Sequence, residues 1–190
     1  MKKKLMTVLA LVLVIALSVA GTYAYLTDSK SVKNTFTVGK VAITMDEAAV
    51  NEYGVADDSA PRVAGNEYKL VPGHEYTKDP IVHFQAKSEA SYLFVKVENG
   101  IADIETGTTI ADQIKAKGWT ALNGVANVYY KQVDANTTEN PIDYPVFNSF
   151  KIADNANTAD YGTAEIVVTA YAIQADGFTT PAAAWAEVSK

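Results

Sequence analysis

Cysteine is absent from all 190 residues. Its absence excludes a disulfide framework, a thiol nucleophile, thiolate-bound metal and the lipid-carrying cysteine of a lipoprotein. Histidine is nearly as scarce, since His74 and His83 are the whole supply. Basic side chains are outnumbered, with 16 Lys and Arg against 22 Asp and Glu and a net charge of −6. Nucleic acids and anionic membranes are held through basic faces, so neither is an expected partner of the folded part. The last residues, Ala186-Glu187-Val188-Ser189-Lys190, form no hydrophobic tail, and no covalent C-terminal anchor is expected. No G-x-S-x-G elbow, Walker loop or paired catalytic carboxylate stands out, and no cofactor is implied.

What is present begins at the N-terminus. Lys2, Lys3 and Lys4 precede an apolar run from Leu5 to Ala20, interrupted by Thr7 and Ser18, and Gly21-Thr22-Tyr23-Ala24 follows. A basic head, an apolar middle and a small-residue end are the parts of a secretory signal peptide. The run is shorter than the roughly 20 apolar residues that span a bilayer comfortably. The expected cut falls between Ala24 and Tyr25, making residues 1–24 the signal peptide and the membrane contact a matter of export alone. Cleavage removes three lysines and no acid, so the net charge moves from −6 to −9. The expected location is outside the cell.

The residues after the cut carry a family resemblance. Gly21-Thr22-Tyr23-Ala24 with Tyr25-Leu26-Thr27-Asp28 resembles the processing site of SipW-type signal peptidase substrates. Lys30, Ser31, Thr35, Phe36 and Gly39, leading into an alternating strand, are similar to the start of the TasA/CalY/camelysin family of Gram-positive bacteria. The match covers about the first quarter of the chain.

Further along, alternation and turn residues mark the elements. Thr35 to Met45 alternates as a strand, with Gly39 shifting its phase. Asn51 to Asn66 is rich in Gly, Asp, Ala and Pro and reads as an exposed loop, and Pro72-Gly73 as a turn. Strands are predicted at Ile81–Phe84, Tyr92–Glu98, Trp119–Leu122, Val128–Val133, Val146–Ile152 and Glu165–Ile173. In the second of these, Leu93, Val95 and Val97 would face inward and Lys96 and Glu98 outward. A helix is predicted over Thr109–Lys117, with Ile110 and Ile114 on one face and Gly118 beyond its end. Thr180-Pro181 begins a second, through Val188, with Trp185 as its contact. Roughly eight short strands with two minor helices predict an all-β fold, a single β-sandwich over residues 35–190. The family resemblance implies the jelly-roll form.

Candidate chemistry is sparse. The camelysins within the resembled family are described as surface metalloproteases, and His74-Glu75-Tyr76-Thr77-Lys78 is the nearest feature here. A zinc site of the H-E-x-x-H kind needs a second histidine one helical turn on, where this chain has the cation Lys78. His74, Glu75 and His83 remain weak metal candidates; no metal and no enzyme activity are expected. Asp154, Asn155, Asn157 and Asp160 gather oxygen ligands without the EF-hand spacing and read as a solvated turn. Asn136-Thr137-Thr138 is a glycosylation triplet. An internal Lys–Asn crosslink is conceivable in a secreted β-domain, with Lys96, Lys131 and Lys151 on predicted strands or strand ends.

Cleavage after Ala24 frees residues 25–34. A free extended segment can pair with the sheet edge of a neighbouring molecule, and head-to-tail donation propagates into filaments. The resemblance to TasA-like matrix proteins implies such an assembly, with Tyr25, Leu26, Asp28 and Val32 in the donated strand. The first expectation is therefore an extracellular matrix fibre subunit, a homopolymer processed by a SipW-type peptidase and open to other matrix proteins. The alternatives are a monomeric cell-surface adhesive or binding module, presenting loops such as Asn51–Asn66 or Ala135–Asp143, and a camelysin-like metalloprotease.

Overall fold

Residues 39–190 are described by the computed structural model. The predicted cleavage site at Ala24 and Tyr25, and the donor positions Leu26, Asp28 and Val32, lie outside them. Among these residues the chain runs β1 (Ile43–Asp46), β2 (Glu75–Thr77), β3 (Ile81–Phe84), β4 (Ser91–Asn99), α1 (Ile110–Ala116), β5 (Thr120–Ala121), β6 (Val128–Val133), β7 (Ile142–Pro145), β8 (Ser149–Lys151), β9 (Ile166–Gln174) and α2 (Pro181–Val188). Short 3-10 turns stand at Ala102–Ile104 and Thr158–Tyr161.

The expected all-β, jelly-roll-like sandwich is not the architecture. The strands divide among three antiparallel sheets, ordered β1-β3-β7, β2-β8 and β5-β6-β4-β9, and none closes or curls into a barrel. The fold is mixed α/β, mostly antiparallel sheet with two short α-helices. Two physical features account for the difference. The run predicted as one strand over Val146–Ile152 bends between sheets, because Val146 and Phe147 are fully buried there instead of continuing a ladder. One face of the four-stranded sheet is also covered by α2 rather than by a second sheet.

Strand β4 organises the rest. It pairs along its whole length with β9, Ser91 opposite Gln174 through Asn99 opposite Ile166, and with β6 on its other side. Successive side chains of a strand point to opposite faces. Leu93, Val95 and Val97 enter the larger core with Tyr76, Phe84, Val146, Phe147 and Phe150. Tyr92 and Phe94 enter a smaller core on the other face with Leu122, Val128 and Ala184. The inward trio and the outward-facing Lys96 and Glu98 were expected; burial of the second face was not.

Both helices form where their caps predict. Thr109 Oγ1 accepts the Asp112 N–H at 3.2 Å, and Ile110 and Ile114 are buried one turn apart. Gly118 follows with φ +78°, a left-handed conformation that suits glycine at a helix end. Thr180 Oγ1 accepts the Ala183 N–H at 3.2 Å, and Pro181 occupies the first helical turn. Trp185 then stands 5.3 Å from the Phe94 ring and edge-on to Tyr171 at 5.2 Å.

Trp185→Ala is expected to lower the unfolding free energy by about 3 kcal/mol and Thr180→Ala by about 1 kcal/mol. Urea denaturation measures both, and an unchanged midpoint for Trp185→Ala would contradict the packing of α2 against β4.

Candidate functional site

The site is built where three chain segments meet at the end of β1. Beyond Asp46, Glu47 exchanges two 2.8 Å backbone hydrogen bonds with Val63. This bridge fastens the far end of the Asn51–Asn66 loop beside β1. The loop also approaches β2 closely: Gly54 has φ +73°, and a Cβ placed there would lie 2.7 Å from the Tyr76 Cα. Glycine is required at that position. The third segment is the stretch after β2, where the Lys78 N–H donates to Asn148 O at 3.1 Å.

Their side chains converge on one carboxylate. Glu47 is 4% exposed and Lys78 8% exposed, and Lys78 Nζ lies 2.6 Å from Glu47 Oε2. Asn66 Nδ2 donates to Glu47 Oε1 at 2.7 Å and to Ala48 O at 2.9 Å. Asn66 Oδ1 accepts the Val50 N–H at 3.0 Å, so every polar atom of that carboxamide is engaged. The Tyr68 ring lies 6.0 Å from Nζ, and its hydroxyl donates to Thr77 O at 3.0 Å. Burial, and then the negative charge of Glu47, push the Tyr68 phenol well above its ordinary range. A buried ion pair is tolerated when its remaining donors and acceptors are satisfied, as Glu47 is here by Asn66.

This cluster lies in the wall of a cleft of about 730 Å³. Residues 64–70 form one side, and Tyr161, Glu165 and Ile166, at and before the start of β9, are on the other. Its surface therefore mixes ring faces, carboxylates and amides.

A second charged group flanks the cluster. Arg62 reaches Asp46 Oδ1 at 2.5 Å and Asp79 Oδ2 at 3.0 Å, and it donates to Asp79 O at 2.9 Å. The Ala48 N–H donates to Asp79 Oδ1 at 2.6 Å. The predicted free loop is thus clamped by an arginine fork against β1 and the β2–β3 connection.

The three metal candidates are not brought together. His74 Nε2 lies 2.8 Å from Tyr53 O, while Glu75 Oε1 accepts the Ser149 hydroxyl at 2.9 Å. His83, in β3, stands between two aspartates, with Nδ1 2.6 Å from Asp143 and Nε2 3.0 Å from Asp46. The Asp46 contact is close but poorly aligned for a hydrogen bond. Both ring nitrogens face carboxylates, which leaves neither turned toward a shared ion. Among the described residues no group of three or more His, Asp or Glu side chains is disposed to hold a metal.

Other sequence features acquire structural roles. Asn136 is 1% exposed and donates to Phe84 O and Asn140 O, so its amide holds the Ala135–Asp143 loop in place. Asn157 donates to Asp160 within its own turn. Lys96 pairs with Glu98, and Lys131 donates to Lys117 O over the Trp119 ring. Among the described residues neither these two nor Lys151 is bonded to an asparagine side chain. The Glu47–Asn66–Lys78 cluster was missed because its members are far apart in the chain. Lys78 was noticed only as the residue standing where a second histidine was sought.

Burial works against charge on His83, but its hydrogen bond to Asp143 and the close carboxylate charges of Asp46 and Asp143 outweigh it and raise the pKa above the ordinary 6.5. The stabilisation from this raised group is complete below pH 6.5 and is lost as pH rises through the folded value. Asp143→Asn is expected to lower the His83 midpoint in an NMR titration and to flatten the change of stability across that window. A midpoint unmoved by the substitution would contradict the pairing.

Neither a curated protein nor a solved structure matches the chain. Among the described residues no helix is long and apolar enough to cross a membrane. Residues 1–57, less than a third of the chain, match the family described as Camelysin metallo-endopeptidase, the same family to which the TasA/CalY group belongs.

Proposed function

We propose that this chain is an exported cell-surface module that acts by binding, as a monomer, through the cleft beside Glu47. The cleft carries the reading: Tyr68 and Tyr161 offer ring surface, and Glu67 and Glu165 offer hydrogen-bonding groups around them. Neutral, hydroxyl-rich polymers such as cell-wall polysaccharides fit that chemistry. Polyanions do not, because the chain without its signal has a net charge of −9. Export is supported by the basic head and apolar run at the N-terminus and by the camelysin family match over the same residues. In this reading the chain is not a protease, although the matched family is described as metallo-endopeptidase.

One observation favours the fibre reading as the alternative to that function. Among the described residues β9 has a strand partner, β4, along one side, and its nine residues present a long edge on the other. Such an edge can accept a strand from another molecule. The donor would be the segment from Tyr25 to Asn34, freed by a SipW-type peptidase, with copies of the chain and other matrix proteins as partners. The fibre reading places the protein in the extracellular matrix, the binding reading on the cell surface.

Tyr161→Ala and Glu165→Ala are expected to weaken retention on purified cell-wall polysaccharide about tenfold each, a change of about 1.4 kcal/mol. Circular dichroism should show both variants folded. Equal retention by parent and both variants would overturn the assignment of the cleft.

A further inference from the structure

The cluster in the cleft wall places an amine and a carboxamide on the two oxygens of one carboxylate. Lys78 Nζ rests on one oxygen of Glu47 at 2.6 Å, and the Asn66 amide nitrogen rests on the other at 2.7 Å. These are the reactants of a transamidation and the acid–base group that it needs. We propose that Lys78 and Asn66 become joined by an intramolecular isopeptide bond, formed by the folded protein with Glu47 as its catalytic residue.

The contacts supply each part of the step. Lys78 Nζ passes a proton to Glu47 Oε2 and attacks Asn66 Cγ with the electron pair so freed. The Asn66 Oδ1 atom, which takes up negative charge in the tetrahedral intermediate, already accepts the Val50 N–H at 3.0 Å. The Glu47 carboxyl group delivers that proton to Nδ2, and the Cγ–Nδ2 bond breaks as the carbonyl re-forms and ammonia departs. Glu47 then takes a second proton from the new Cγ–Nζ nitrogen and passes it to the ammonia, which leaves as ammonium; the third lysine proton stays on the isopeptide nitrogen, and Glu47 is again a carboxylate. One C–N bond forms and one breaks, and no oxidant, metal or external reactant is required.

The surroundings favour this over a plain ion pair. Glu47 and Lys78 are 4% and 8% exposed, so the amine and its acid–base partner are held away from bulk water. The Asn66 carboxamide is held at three points, by Glu47, Ala48 and Val50. That fixes its plane before reaction and removes the entropy of finding it. The bond would tie the end of the Asn51–Asn66 loop to the stretch after β2, closing a loop of about a dozen residues. A chain without cysteine has no disulfide to do this. The cluster of Lys, Asn and acid is unlike the surroundings of Lys96, Lys131 and Lys151, which have no asparagine partner. The inference is independent of what the cleft binds.

Intact-mass spectrometry of the protein starting at Tyr25 tests it directly. The expected mass is lower than that of the sequence by one ammonia, and trypsin should release a branched peptide joining residues 63–69 to 70–87. Glu47→Gln and Lys78→Arg should each have the full sequence mass; the arginine keeps a cation beside Glu47 but has no nucleophilic amine. Circular dichroism establishes that each variant is folded. A parent protein at full mass would overturn the proposal, as would an ammonia loss traced to a linear succinimide with no branched peptide. Crosslinking undiminished in folded Glu47→Gln would overturn the role of Glu47.

Discussion

Burial of β4 on both faces is the constraint from which the rest of the structure follows. A strand with one wet face needs one apolar set, but Ser91–Asn99 carries two. Leu93, Val95 and Val97 need one core and Tyr92 and Phe94 another. The larger core is closed by the three-stranded and two-stranded sheets, and the smaller one by α2 through Ala184 and Trp185. Without the C-terminal helix, Tyr92 and Phe94 would lie on an exposed apolar patch. This demand sets the chain apart from a plain two-layer sandwich: the face that such a sheet would leave to solvent is covered by eight residues of helix.

The cleft depends on the same frame. Strands β1 and β3 pair in register from Ile43 opposite Phe84 to Asp46 opposite Ile81. That register brings Asp46 and Glu47 to the sheet end where the stretch after β2 returns. The charged side chains then sort themselves by exposure. Arg62, Asp46 and Asp79 form a half-exposed fork that holds the loop, while Glu47 and Lys78 form a buried pair capped by the half-buried Asn66. An exposed fork contributes little stability, but it fixes geometry. Losing one partner of the buried pair would leave a charge stranded in a dry site, which costs several kcal/mol. Position in the cleft wall is therefore a by-product of a strongly held structural cluster.

Local elements were legible in the sequence because their signals are local. Thr109 and Thr180 are caps, Ile110 and Ile114 share a helical face, and Leu93, Val95 and Val97 alternate; each signal lies within one element. The Tyr68–Val71 run shows where such reading stops. The Val71 N–H donates to the Tyr76 hydroxyl, and that hydroxyl donates to Lys69 O, so a side chain takes the place of a neighbouring strand. The arrangement of sheets was not legible, because nothing local says that Val146 and Phe147 cross between layers. Nor was the site. Glu47, Asn66 and Lys78 are an ordinary glutamate, asparagine and lysine until β-pairing and a clamped loop bring them to one point.

The proposed function is that of a monomer that binds through the cleft, all of whose polar lining lies in or beyond the last part of the family match over residues 1–57. Negative-stain electron microscopy and sedimentation of protein beginning at Tyr25 test this most directly, beside the same protein with an N-terminal extension. The account predicts monomers in both samples at every concentration examined. Filaments that form only when Tyr25 is free would contradict it and establish strand donation to a neighbouring sheet edge as the working mechanism.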